Sequence, residues 1–164
     1  MPFFSIIIPC YNQSEWLKFS LLELQKQDFQ DWEAVVVNDG STDDSGLIAD
    51  NIASSDRRIK VIHQNNYGLS AARNTGIRNV SGKWLNFHDS DDYLLPGCLN
   101  KLHQTIHAHP DFELFQTGHE LVDESNQIIR SGWLLEKEGL FLKTVFKGNP
   151  GPPLSFFISS KAAT

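Results

Sequence analysis

Short runs of apolar and β-branched residues alternate with stretches of helical period through the first two-thirds of this chain. That alternation constrains the fold more than any other feature. Phe4-Ser5-Ile6-Ile7-Ile8 is apolar on both faces, as a strand in a sheet covered on both sides must be. Glu33-Ala34-Val35-Val36-Val37-Asn38 repeats the pattern, whereas Arg58-Ile59-Lys60-Val61-Ile62 alternates and suits a sheet edge. Lys83 to His88 and Glu113 to Thr117 are a fourth and a fifth strand candidate. Between them, Ser14 can cap a helix with Leu17, Leu21 and Leu24 on one face. Ser41 or Thr42 opens a second helix through about Ser54, with Ile48 and Ile52 inward. Leu69, Ala72, Gly76 and Val80 form a stripe that lets a third helix approach the sheet closely, and Pro96 starts a fourth carried by Leu95, Leu99, Leu102 and Ile106. Such alternation implies βαβ units with right-handed crossovers and an α/β sandwich around a mostly parallel sheet.

The length of 164 residues suits one domain. Beyond Gly118 the pattern loosens: Gln127 to Arg130 is strand-like, Leu140 to Phe146 is ambiguous, and Gly148 to Pro153 is a stiff loop before a strand-like run from Leu154 to Ser159. With 14 Lys and Arg against 20 Asp and Glu, the formal charge is -6, the wrong sign for a surface built on nucleic-acid phosphates. An anionic ligand requires a metal or a local basic residue to offset that charge. Cys10 and Cys98 stand far apart and form neither a disulfide framework nor a zinc cluster. No run approaches the roughly 18 apolar residues of a membrane span. The expectation is a cytoplasmic protein, or one peripheral at the inner face of the membrane. Asn12-Gln13-Ser14 and Asn79-Val80-Ser81 then match the glycosylation pattern by chance.

In open α/β sheets ligands bind beyond the carboxyl ends of the strands. A polar cluster follows three strands here: Pro9-Cys10-Tyr11-Asn12, Asn38-Asp39-Gly40-Ser41-Thr42-Asp43, and His88-Asp89-Ser90-Asp91-Asp92. Three carboxylates within four residues repel one another unless a cation neutralises them, and oxygen-only ligands select Mg2+ or Mn2+. The alternative is a solvated acidic turn capping the helix at Pro96. Asp39 either accepts hydrogen bonds from a ribose or base imide or makes an Asx turn into the second helix. Tyr11 either stacks on a nucleobase or covers the core edge. Arg73 contacts a ligand or pairs with the carboxylates. His103 and His107 stand four apart on a helix but lack the Glu of a metalloprotease motif, and read as a surface helix. Gly76 to Lys83 misses P-loop spacing, and no GxGxxG follows the first or second strand.

Together, Ser5 to Asn12, Val35 to Asp43, Asn66 to Gly76 and Phe87 to Asp92 resemble family 2 glycosyltransferases. The resemblance implies the GT-A fold, a Rossmann-like α/β/α sandwich, with a nucleotide-sugar-binding domain over residues 1–118 and the start of an acceptor-side region over 119–164. It implies transfer of a sugar from a nucleotide-diphosphate donor, a UDP-sugar first among them, to an acceptor glycan or lipid-linked glycan. It assigns Pro9 and Tyr11 to the base edge of the donor pocket, and Asp39 to the base and ribose. Asp89-Ser90-Asp91 matches the Asp-x-Asp signature: Asp91 for Mn2+ or Mg2+, Asp89 near the ribose or behind the metal. Arg73 is carried over as a donor-side residue. The mechanism it implies is inverting, with a carboxylate base in a segment that Asp123, Glu124, Glu136 and Glu138 do not match, so the base is expected beyond residue 164 and the chain is expected to be an N-terminal piece. A sugar-phosphate nucleotidyltransferase and a non-catalytic nucleotide-sugar-binding module are the competing readings; the former requires a Gly-rich loop with Arg after the first strand, which is absent.

Overall fold

A computed structural model of the chain describes residues 1–123, 127–131 and 156–162. Its elements run β1 (Phe4–Cys10), α1 (Ser14–Gln25), β2 (Trp32–Asp39), α2 (Ser45–Ser55), β3 (Ile59–Gln64), α3 (Leu69–Arg78), β4 (Trp84–Phe87), α4 (Cys98–Ala108), β5 (Leu114–Gln116), β6 (Glu120–Val122), β7 (Ile128–Ser131) and β8 (Phe156–Ser159). Six strands form one sheet in the order β3-β2-β1-β4-β8-β5. β1 pairs in parallel with β2 and β4, and β2 with β3. β8 enters antiparallel between β4 and β5, so the last strand of this sheet comes from residues 156–159. β6 and β7 make a separate antiparallel hairpin. The run Leu140 to Phe146 lies outside the described residues.

Every residue of β1 and β2 is buried, as strands covered on both faces require. The period of two divides them between two layers. Phe4, Ile6, Ile8, Ala34 and Val36 join the larger core with Leu17, Leu21 and Leu24 of α1 and Leu99, Leu102 and Ile106 of α4. Val35 and Val37 meet Ala72 of α3 in a smaller cluster. A Cβ on Gly76 would collide with Ile7 Cγ2, so α3 lies against β1 at a distance only glycine permits.

Three helix boundaries depart from the sequence reading. Ser14 is the first residue of α1, not its cap, and its N–H is satisfied by Asp43 Oδ2 at 3.1 Å from the neighbouring loop. α2 starts at Ser45 because Asp43 Oδ1 accepts from Ser45 N at 3.0 Å, turning residues 41–44 before any helix can form. α4 starts at Cys98, after Gly97 in the left-handed region, which leaves Pro96 before the helix and Leu95 52% exposed.

Glu33 holds the amino-terminal edge of the sheet. It accepts from Ser5 Oγ (2.8 Å) and Ser81 N (2.6 Å) and pairs with Lys60 Nζ at 2.8 Å. Burial raises its pKa, but the bonds from Lys60, Ser81 and Ser5 outweigh that and hold it below its ordinary 4.5. The ionised form is therefore the one the fold favours, and its contribution is full above about pH 4.5 and vanishes as pH falls through the lower folded value.

Two stability measurements follow from these contacts. Glu33→Gln is expected to lower stability by about 1–3 kcal/mol at pH 7. The gap to the parent chain should narrow as acid is added below pH 4.5. A gap that widens in acid contradicts the assignment. Gly76→Ala tests the close approach of α3. Helix propensity alone favours Ala by about 1 kcal/mol, but the collision with buried Ile7 is expected to turn this into a loss of about 1–3 kcal/mol in urea unfolding.

Candidate functional site

The strand order steps outward from β1 to β2 and β3, then returns to the other side of β1 with β4, which makes β1/β4 a topological switch point. The loops after β1, β2 and β4 meet at this carboxyl edge. Asn12 adopts φ 53°, a left-handed conformation that Asn tolerates better than most residues. This turns its Oδ1 toward the next loop, where it accepts from Thr42 N at 2.7 Å, while its own N–H donates to Ser41 Oγ at 3.1 Å. Gln13 N donates to Ser45 Oγ at 2.9 Å. Gly40, at φ 73°, brings the loop after β2 so close to the loop after β3 that a Cβ there would lie 2.7 Å from Asn66 N.

Asp39 ends β2 and is buried. Its Oδ1 accepts from Gln64 Nε2 (2.6 Å) and Tyr67 N (3.0 Å), and its Oδ2 from Gly68 N (2.8 Å). The Asx turn into α2 belongs to Asp43 instead. A carboxylate offers about four acceptor positions, so the loop into α3 leaves about one of them open. Asp39 lines a cavity of about 190 Å³ together with Pro9, Cys10, Tyr11, Gly68 and Leu69. That is smaller than the roughly 300–1,000 Å³ that receives a drug-sized ligand, and suits one planar ring with a polar edge. Tyr11 is 48% exposed and presents its ring at this cavity. Leu69 is turned out of the helix stripe to line it as well.

The acidic turn after β4 is held at every residue but one. Asp89 Oδ1 pairs with Arg73 Nη2 of α3 at 2.7 Å, so the ion-pair alternative for Arg73 is the one present. Buried Ser90 lies beside the Cys10 thiol, whose pKa burial raises. Asp92 N closes the turn on Asp89 O at 3.0 Å. His88, fully buried, places Nε2 2.8 Å from Ser20 Oγ and 3.0 Å from Asp92 O. Burial lowers the His88 pKa to about 4, so the ring is neutral at pH 7. Burial, with the charges of Asp91 and Asp89, raises Asp92 to about 6. Asp91 alone is exposed, with no protein donor on its carboxylate among the described residues. It borders a second cavity of about 270 Å³ that Asp92, Tyr93 and His119 also line.

This donor set fits a hard divalent cation. It offers oxygen only, the exposed Asp91 carboxylate is open, and the turn carries three acids against one arginine. Among the described residues no three His, Cys, Asp or Glu side chains converge, so phosphate and water oxygens would complete the shell of any cation held by Asp91.

Other sequence candidates fall elsewhere. The His103 and His107 Nε2 atoms lie 3.1 Å apart on α4, with Phe3 and Phe29 against His103, as part of the aromatic packing at the end of the core. Gly76 and Gly82 serve close packing against Ile7 and Ser5. Asp123 closes the β6–β7 hairpin through Gln127, and Glu124, Glu136 and Glu138 lie outside the described residues. Sequence reasoning missed the backbone donors of Tyr67 and Gly68, which carry no side-chain signal, and the role of His88.

Comparison with known proteins agrees with this architecture. The chain is 44% identical over 102 residues to the uncharacterized glycosyltransferase EpsJ of Bacillus subtilis, covering 62% of this chain and 30% of that protein. It is 38% identical over 106 residues to the GalNAc(5)-diNAcBac-PP-undecaprenol beta-1,3-glucosyltransferase of Campylobacter jejuni, covering 63% and 34%. The crystal structure of S. aureus TarS 1-349, also solved with UDP-GlcNAc and with UDP, matches at 31% identity and a TM-score of 0.65 over 70% of this chain and 34% of that one. The chain thus spans about a third of the length of each, and shares with TarS the GT-A sandwich. The model of glycosyl transferase family 2 matches residues 5–162, and the chain belongs to that family.

Proposed function

We propose that this chain forms the donor-binding part of a transferase that moves a sugar from a nucleotide diphosphate to an acceptor hydroxyl. The observation that carries the reading is a ring-sized cavity edged by Asp39 at the same carboxyl edge of the sheet as an acidic turn whose exposed carboxylate is Asp91. Tyr11 stacks on the base, Pro9 closes the edge, and the remaining acceptor position of Asp39 takes a base imide N–H or a ribose hydroxyl. Asp89, tied to Arg73, stays behind the diphosphate and keeps that cation near the developing negative charge. UDP is the first choice of nucleotide, supported by the 31%-identical TarS having been solved with it. A lipid-linked glycan as acceptor is supported by the name of the Campylobacter relative, and the inner face of a membrane is where the two would meet. Among the described residues no helix is long and apolar enough to cross a membrane.

Mn2+ or Mg2+ on Asp91 would supply positive charge to the leaving diphosphate without a proton. The acceptor oxygen attacks the anomeric carbon from the face opposite the diphosphate, the C–O bond to phosphate breaks, and configuration inverts. A general base taking the acceptor proton contributes about 10²–10⁴-fold. No residue of this site is assigned to that role. His119 to Val122, where the region read as the acceptor side starts, border the cavity beside Asp91.

Calorimetric titration with UDP, with and without Mn2+, tests the assignment. Mn2+ is expected to tighten UDP binding at least about tenfold, equal to about 1.4 kcal/mol. Asp91→Asn should remove that gain and leave metal-free binding in place. Tyr11→Ala should weaken binding in both conditions by about tenfold, within the range of base–aromatic stacking. Absence of UDP binding by the parent chain, or a Mn2+ gain that survives Asp91→Asn, overturns the reading.

A further inference from the structure

We infer that His88 is a positioning residue: its Nε2–H, donated to the Asp92 carbonyl, fixes the acidic turn in the form that leaves Asp91 open. The inference rests on the donor-site reading and adds a residue to it. A main-chain carbonyl only accepts, so the 3.0 Å contact with Asp92 O puts the ring proton on Nε2. Ser20 Oγ, 2.8 Å from the same nitrogen, then shares that proton as a second acceptor, which links the turn to α1. Nδ1 is left as a buried lone pair with no donor among the described residues. An apolar side chain in this fully buried position would avoid the desolvation cost of that unpaired nitrogen. Packing therefore does not explain a histidine here, whereas the bond to the turn does. The His88 main chain is itself fixed by donation from its N–H to Ile7 O at 2.9 Å, so the ring hangs from β1, the central parallel strand.

The other restraints on the turn act elsewhere. Arg73 holds the Asp89 side chain, Ser90 is buried beside the Cys10 thiol, and the Asp92 N–H to Asp89 O bond closes the turn without orienting it against the core. Only His88 ties the C-terminal carbonyl of the turn to the interior among the described contacts. Among the described residues nothing restrains Asp91 itself, so its direction is inherited from its two neighbours.

The test is calorimetry on the full chain with UDP and Mn2+, comparing His88→Leu, His88→Gln and His88→Asn after far-UV circular dichroism confirms their fold. Gln carries an N–H near the Nε2 position, Asn carries one near Nδ1, and Leu carries none. Leu and Asn are expected to reduce the Mn2+-dependent gain in UDP affinity about tenfold, the lower end of what lost support behind a metal ligand costs. Both should leave metal-free UDP affinity unchanged. Gln should recover the gain to within about threefold of the parent. A merely structural histidine would move both affinities together. If Leu does not fold, the Gln–Asn contrast decides alone. A full Mn2+ gain in Asn, or an equal loss in Gln and Asn, overturns the inference. A parent chain without any Mn2+ gain overturns the donor-site reading instead.

Discussion

Parallel pairing of β1 with β2 on one side and β4 on the other is the constraint on which the rest depends. Parallel strands end at the same edge, so Tyr11, Asp39 and the acidic turn are brought together although they lie far apart in sequence. The pairing requires strands covered on both faces, which the apolar runs at Ile6–Ile8 and Val35–Val37 supply. It also requires α3 to lie close, which Gly76 allows at Ile7, one residue before Ile8 leads into the site. The cavity is thus a consequence of how the sheet is covered.

The two edges of the sheet use carboxylates in opposite ways. At the amino edge, Glu33 is surrounded by donors and serves only to hold three strands and a turn. At the carboxyl edge, Asp39 is largely satisfied by main-chain N–H groups, Asp89 is matched by Arg73, and Asp91 is left without a partner among the described residues. An unneutralised acid beside two others is electrostatically costly, and Asp92, whose pKa is raised first by burial and then by the charges of Asp91 and Asp89, shares that cost. A cation on Asp91 would relieve it. In the turn, His88, Asp89 and the Asp92 main chain are hydrogen-bonded, whereas the exposed carboxylate of Asp91 has no donor among the described residues.

The layers of the fold were legible because β1, β2 and the stripes of α1 and α4 repeat a period strongly. Helix starts were less so, because the groups that satisfy them come from another loop: Asp43 serves both Ser14 and Ser45, a relation that local spacing cannot display. Leu69 and Leu95 continue helical stripes in sequence yet face outward, since each stands at a helix entrance where the chain turns. The strand-like run ending at Ser159 was visible, but its antiparallel insertion between β4 and β5 depends on pairing across more than forty residues. In the site, Asp39 and Asp91 stood out as acids at strand ends. Their different surroundings, one wrapped by backbone donors and the other open, emerge only when the loops are brought together.

The central claim is that the turn is preformed, with Asp89 committed to Arg73 and Asp91 free to bind. A crystal structure of the chain with UDP and Mn2+, with anomalous scattering locating the metal, tests it most directly. The account predicts Mn2+ on an Asp91 oxygen and on the diphosphate, the Arg73–Asp89 pair intact near 2.7 Å, and the uracil ring between Tyr11 and Asp39. Metal bound to Asp89 with the arginine pair broken, or uracil outside the Asp39 cavity, would contradict it.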